Sequence, residues 1–296
     1  MAKVGETVKA GERILREAGI MNPEVDSRLL YCHVAEIDRG SLFLRERDEA
    51  AEDIEREFFC LIHQRAKRIP LQHITGSQNF MGLSFKVTPQ VLIPRSETEL
   101  LVETALKEIK SSSKEKISVL DLCTGSGAIG ISVAKLGNEI LREDESTSEI
   151  EVLCTDISRK AIEIARYNGE KLGVEVHFAQ GDLFEPVLPE EKSFDMILSN
   201  PPYIESHVIS TLQDEVKFHE PVLALDGGKD GLDLYRRILK SAPKFLNSGG
   251  VLIMEIGYNQ KEALLSLIKN NKNYCESSCI QDFAGKDRII FAKRID

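Results

Sequence analysis

The sequence predicts an α/β fold, a mainly parallel sheet with helices on both faces, preceded by a small helical domain and a β-hairpin. Three observations carry that expectation. Residues 1–70 show helical periodicity without strand-like alternation. Residues 71–94 hold short apolar runs around Gly82. From residue 117, apolar β-branched runs alternate with helical stretches. The 296 residues fit about two domains, each able to bury a core without disulfides or metal.

In the first part, Val4, Val8, Ile14 and Leu15 recur at near-helical spacing up to Gly19, a C-cap. Asn22-Pro23 opens a second helix, with Leu29, Leu30, His33 and Val34 on one face. A third spans about Glu49 to Lys67 and carries Ile54, Phe58, Phe59, Leu61 and Ile62. This part shows no catalytic constellation and reads as a packing or partner-docking module. Ile74-Thr75-Gly76 and Phe80–Val87 predict a hairpin turning near Gly82. Ser96, with Glu99 three residues on, predicts a capping box for a helix reaching about Lys110. The expected organisation is a helical domain at 1–70, a hairpin linker at 71–94 and an α/β domain at 95–296.

In that domain, Ile117–Leu122, Ile150–Thr155, Val174–Ala179, Phe194–Ser199 and Gly250–Ile256 read as parallel strands, with Ser158–Leu172 a helix among them. Tyr274–Ile280 and Arg288–Lys293 have a short link, which suits an antiparallel pair at the sheet edge. Glu139–Glu149 reads as an acidic surface loop insertion.

Composition narrows the function classes. Apolar residues make up 42% and charged residues 29%, which argues against disorder. No apolar run reaches the length of a membrane span. The start, MAKVGETVKAGERIL, lacks the apolar region of a secretory signal. The six cysteines form no paired CxxC units and read as reduced thiols of a cytoplasmic protein. The net charge of −10 argues against a large duplex phosphate footprint and favours a protein or small-molecule substrate. Arg65, Lys67 and Arg68 are the best candidates for a local basic patch facing a partner.

Three segments carry chemistry. Asp121-Leu122-Cys123-Thr124-Gly125-Ser126-Gly127 joins the first parallel strand to the next helix. Its glycines allow close approach of backbone to a ligand, but a third glycine at dinucleotide spacing is missing. An acid at the start disfavours phosphate and suits a cationic, amino-bearing ligand such as S-adenosylmethionine; a tight βα turn is the plainer alternative. Asp156, ending the next strand, can accept both ribose hydroxyls, or serve as a helix N-terminal charge. Asp182 can accept from an adenine amino group with Leu183 on the ring, or be a solvated loop acid.

The third segment, Asn200-Pro201-Pro202-Tyr203, follows its strand at the edge where open α/β sheets place ligands. The prolines fix the backbone and leave carbonyls free to accept. With the Asn200 side-chain carbonyl they match the two N–H groups of a planar amide or exocyclic amine, and Tyr203 offers a flat face. That grip aims the nitrogen at an electrophile and favours the charge developing on it.

Asp121–Gly127 followed by Asn200–Tyr203 resembles the class I S-adenosylmethionine-dependent methyltransferases acting on planar nitrogens. Further segments resemble one branch, the bacterial peptide chain release factor N5-glutamine methyltransferases. They are Pro70–Gly76, Phe80-Met81-Gly82, Leu92–Glu99, Asp121–Ile129, Glu220-Pro221 with Ala224-Leu225, and Gly249-Gly250 with Glu255-Ile256-Gly257. The resemblance covers essentially the whole chain. It implies a Rossmann-like seven-stranded sheet and methyl transfer from S-adenosyl-L-methionine to the glutamine of the Gly-Gly-Gln loop of class 1 release factors. Nucleic-acid and membrane partners are not expected.

The resemblance also implies cofactor binding by Cys123, Thr124, Gly125, Ser126, Gly127, Asp156, Asp182, Leu183 and Asn200. It implies substrate binding by Asn200, Pro201, Pro202 and Tyr203, with Asn200, Pro201 and Tyr203 catalytic. Two departures stand out: Ser96 replaces a usual proline, and Cys123 a frequent glycine. Arg95 has two readings, positioning backbone near the cofactor or pairing with Glu97 or Glu99. Glu255 likewise either lines the pocket or caps its strand. A nucleic-acid adenine methyltransferase would share the Asn-Pro-Pro-Tyr segment, but the acidic balance and lack of a DNA-reading domain argue against it.

Overall fold

The computed structural model describes residues 2–144, 147–190 and 193–295. The chain forms two compact units: residues up to Ser77 with Gln213–His219, and Gln78–Leu212 with Glu220 onward.

The first unit holds α1 (Val4–Glu17), α2 (Pro23–Val34), α3 (Arg39–Leu44), α4 (Glu52–Ala66) and α5 (Leu71–Thr75). Their apolar faces bury Leu15, Leu30, Phe58 and Ile62 completely, each contributing roughly 2 kcal/mol. Pro23 begins α2, where its missing N–H costs nothing. Two short helices lack an apolar period and escaped the sequence reading. In α3 the Asp38 side chain accepts from the Ser41 N–H at 2.8 Å, and α5 ends at Gly76 with φ of 71°.

β1 (Ser77–Phe80) and β2 (Leu83–Lys86) form a hairpin turning near Gly82 as expected, but its first arm begins at Ser77, because Ile74 and Thr75 belong to α5. Met81 and Gly82 have φ of 51° and 74°, as a two-residue type I′ turn requires. The capping box at the start of α6 (Glu99–Ser111) is not formed. Glu99 instead accepts from the Met81 backbone N–H at 2.7 Å, and Ser96 donates to Glu97 at 3.0 Å. The hairpin turn outcompetes the helix start for this carboxylate.

Then follow β3 (Lys116–Leu122), α7 (Ala128–Glu143), β4 (Glu149–Asp156), α8 (Arg159–Leu172), β5 (His177–Gln180) and β6 (Phe194–Ser199). The one-turn α9 (Asp214–Lys217) belongs to the first unit. α10 (Asp233–Ser241), β7 (Leu246–Glu255), α11 (Lys261–Lys269), β8 (Tyr274–Gln281) and β9 (Asp287–Arg294) complete the chain. The sheet has seven strands in the order β5-β4-β3-β6-β7-β9-β8. All pairings from β5 to β7 are parallel, and β9 runs antiparallel to both β7 and β8. Both faces are buried, as a parallel sheet requires. Leu120, Ile197 and Leu252 pack with Tyr235 and Ile238 of α10. Val119, Leu198 and Ile253 pack with Leu101 and Ile131 of α6 and α7.

Three expectations need correcting. Much of Glu139–Glu149 is helix, because α7 continues to Glu143 and buries Leu141; positions 145 and 146 lie outside the described residues. The third parallel strand starts at His177, not Val174, since only His177–Gln180 pair with the end of β4. Arg65 and Arg68 are not a free basic patch. Arg65 is buried, with Nε donating to Asp26 at 2.7 Å and Nη1 to Glu215 at 3.2 Å. Arg68 donates to the same Glu215 carboxylate at 3.3 Å. Lys67 is exposed.

Candidate active site

The strand order reverses between β3 and β6, which run parallel side by side, so the loops after them open a cleft at the carboxyl edge. A cavity of about 590 Å³ lies there within the second unit. Cys123, Gly125, Asp156, Asp182, Leu183 and Asn200 line it, with Pro202 beside them. Four loops from β3, β4, β5 and β6 thus converge on one space.

The loop after β3 is built by left-handed backbone. Cys123, Gly125 and Gly127 have φ of 59°, 56° and 83°. Cys123 and Leu183 (φ 50°) hold this conformation without being glycine, a strain of about 1 kcal/mol or more each that clusters at functional sites. Burial pushes the Cys123 thiol up, so it is not a poised nucleophile. Asp156 Oδ2 accepts the Gly125 N–H at 2.9 Å, and Oδ1 accepts that of Ser158 at 2.8 Å. Burial raises its pKa, and these two N–H groups oppose the rise.

Thr124, Ser126 and Gly127 stand behind the cavity and shape the loop. The Thr124 hydroxyl donates to Asp121 at 2.5 Å, the Ser126 carbonyl accepts from Asn168 Nδ2 at 2.9 Å, and Gly127 caps α7. Asp121 does not face a cationic ligand, contrary to the sequence reading. It is fully buried, and its Oδ2 also accepts the Gly130 N–H at 3.0 Å. A Cβ on Gly130 would lie 2.3 Å from the Cys154 sulfur, so α7 closes on this carboxyl only because residue 130 is glycine.

Burial pushes Asp121 up to about 7, against the pull of Thr124 and Gly130. Between its ordinary 3.8 and about 7 the folded chain keeps a proton that the unfolded chain has lost. Stability is therefore fullest below that window and falls as pH rises through it. Asp121→Asn should flatten part of this dependence, read as thermal midpoints from about pH 5 to about pH 8, with ~2–4 °C for each kcal/mol.

Asn200 reaches the cavity, and its Nδ2 donates to Thr98 Oγ1 at 3.3 Å, which leaves Oδ1 as an acceptor. Pro201 and Tyr203 are not among the cavity-lining residues. Tyr203 is half-buried, and its hydroxyl donates to Glu255 Oε1 at 3.4 Å. Gln260 Nε2 donates to the Tyr203 carbonyl at 3.0 Å. Asp182 is partly engaged, accepting from Arg237 at 2.6 Å. Arg95 pairs with the buried Glu220 at 2.6 Å rather than with Glu97 or Glu99. Glu255 is 2% exposed and does not line the cavity.

The chain matches two family models, the PrmC N-terminal domain over residues 6–76 and a methyltransferase domain over residues 113–291. It is 37% identical to the release factor glutamine methyltransferase of Clostridium acetobutylicum, covering 99% of each chain. The chain belongs to the release factor glutamine methyltransferase family. A second family member, from Geobacter sulfurreducens, is 38% identical over 93% of this chain and 91% of its own. Among solved structures, a methyltransferase from Pyrococcus furiosus is 22% identical with a TM-score of 0.53, covering 79% of this chain and 99% of that one. The T. thermophilus 16S rRNA N2 G1207 methyltransferase, in complex with AdoMet and guanosine, is 18% identical with a TM-score of 0.51, covering 74% and 49%. Both share the fold.

Around the site of this family member lie further residues that were given no site role from sequence. Gly227 and Gly231 lie against the Tyr203 backbone, where a Cβ on Gly231 would sit 2.4 Å from the Tyr203 carbonyl oxygen. The glycine run Gly227-Gly228-Lys229-Asp230-Gly231 was an available signal for this contact. Val91, Leu92, Pro221 and Val222 add apolar cavity wall. Gln260 carries no local signal.

Proposed function

We propose that the protein transfers a methyl group from S-adenosyl-L-methionine to the side-chain amide nitrogen (N5) of the glutamine in the Gly-Gly-Gln motif of class 1 peptide chain release factors, and so modulates translation termination. The observation that carries this is the Asn200 amide, held through Nδ2 with Oδ1 left to accept, at the rim of the cavity and followed by two prolines and an aromatic ring. The cavity suits the methyl donor. Asp156 brings a carboxylate to a wall whose glycine loop leaves room for a ligand, and a Cβ on Gly125 would meet nothing within 4 Å. Cys123, Gly125, Asp156, Asp182 and Leu183 would hold it, with Thr124, Ser126 and Gly127 fixing the loop from behind, and when bound it supplies an electrophilic methyl group.

The remaining work falls to this chain. Asn200 Oδ1 and the Pro201 carbonyl accept the two amide hydrogens of the substrate glutamine and orient its nitrogen. Tyr203 backs the amide plane. The same acceptors favour the positive charge that grows on nitrogen, in a site partly closed to water. The helical unit serves as the docking module for the release factor. The proposed location is the cytoplasm, whose reducing conditions suit six unpaired cysteines. Among the described residues no helix is long and apolar enough to cross a membrane.

Mass spectrometry of a purified release factor, incubated with this protein and methyl donor, tests the reading. One added methyl on the Gly-Gly-Gln peptide is the expected result. An unchanged peptide together with methylated adenine in parallel DNA would replace it with the nucleic-acid reading.

A further inference from the structure

Glu255 ends β7 under the Asn-Pro-Pro-Tyr segment, buried and outside the cavity. Its Oε1 accepts from the Tyr203 hydroxyl at 3.4 Å. The Thr98 hydroxyl also lies beside this carboxyl and favours its charged form, and Thr98 Oγ1 in turn accepts from Asn200 Nδ2 at 3.3 Å. Among the described residues, Oε2 makes no hydrogen bond. The backbone here is anchored by the Tyr235 hydroxyl, which donates to the Glu255 carbonyl at 2.6 Å. One carboxyl therefore touches both ends of the segment proposed to hold the substrate amide, one end directly and the other through Thr98.

We infer that Glu255 is a positioning residue for methyl transfer, tying Tyr203 and Asn200 into one acceptor geometry without touching cofactor or substrate. The inference rests on the function proposed above. Two donors, the Tyr203 and Thr98 hydroxyls, face this carboxyl, so the carboxylate, which only accepts, is the form that suits both. Once protonated, the carboxyl turns one oxygen into a donor, and the hydroxyl beside that oxygen must turn its own hydrogen away, which changes the geometry of the tie. Burial pushes the carboxyl up to about 7, opposed by the Thr98 hydroxyl, Arg288 of β9 and the Tyr203 hydroxyl, and reinforced by Glu97. Arg288 is itself shared with Asp282 at 2.9 Å and Glu97 at 3.9 Å. The long 3.3–3.4 Å bonds fit a site that tightens when loaded.

The test compares the full-length parent with Glu255→Gln and Thr98→Val. S-adenosylmethionine affinity by calorimetry reports whether each variant is folded at the cofactor site and is expected to stay within about twofold of the parent. Release factor methylation should fall about tenfold or more in kcat, with KM for the cofactor unchanged. The parental rate should rise with pH through neutrality, and that of Glu255→Gln should be flat. In parallel, the Asn200 side-chain amide signal in NMR should titrate near neutrality in the parent and not in Glu255→Gln. Parental kcat in Glu255→Gln, or an Asn200 amide blind to pH in the parent, overturns the inference. Should the parent fail to methylate release factor at all, the functional proposal falls, and the Asn200 titration alone still decides whether Glu255 governs the segment.

Discussion

Asn200→Ala is expected to abolish methylation of release factor while leaving S-adenosylmethionine binding close to the parental value. Alanine removes Oδ1, the side-chain acceptor that the Thr98 contact through Nδ2 leaves available. It keeps the two prolines, the Cys123–Gly127 loop and Asp156 in place. Losing one preorganised polar partner of the reacting group costs about 10²–10³ in kcat, or roughly 3–4 kcal/mol. Single-turnover methylation at saturating cofactor measures this loss, and calorimetry checks the binding. A parental rate in the variant would mean that Asn200 only packs against Thr98.

Asp156→Ala should act on the other half of the reaction, raising the Kd for S-adenosylmethionine about 100-fold with little change in kcat once cofactor saturates. A carboxylate accepting two hydroxyls contributes about 1.5–3 kcal/mol per bond, and each 1.4 kcal/mol is about tenfold in Kd. The same oxygens brace the Gly125 and Ser158 N–H groups, so the loop itself also loosens. Asp156→Asn separates the two effects, since an amide oxygen can still accept one of these N–H groups. Calorimetric titration of both variants decides it. A Kd within about threefold of the parent, which is below 1 kcal/mol, would leave Asp156 as a loop brace alone.

The parallel strands and the loops at their carboxyl ends were legible because their signals are local. Strands buried on both faces read as largely apolar runs such as Ile117–Leu122 and Phe194–Ser199. Asn200–Tyr203 directly follows one of them. What was not legible depends on partners distant in sequence. Asp121 looks like a ligand acid until Gly130 brings α7 onto it. Ser96 and Glu99 have capping-box spacing, yet Met81, 18 positions earlier, claims the carboxylate. Arg65 looks like a surface cation, but Glu215 lies 150 positions along the chain. Glu255, with two open readings at the outset, acquires a role only through Tyr203 and Thr98, which come from other elements.

The dependence of Arg65 on Glu215 bears on how the chain matures during synthesis. The first unit is discontinuous, completed by Gln213–His219. A ribosome releases the five amino-terminal helices early, when Arg65 has Asp26 but not Glu215 beside it. The last piece emerges only after β3 to β6 have been made. The two units therefore cannot mature strictly one after the other, and the helical unit reaches its final form while most of the parallel sheet is already off the ribosome.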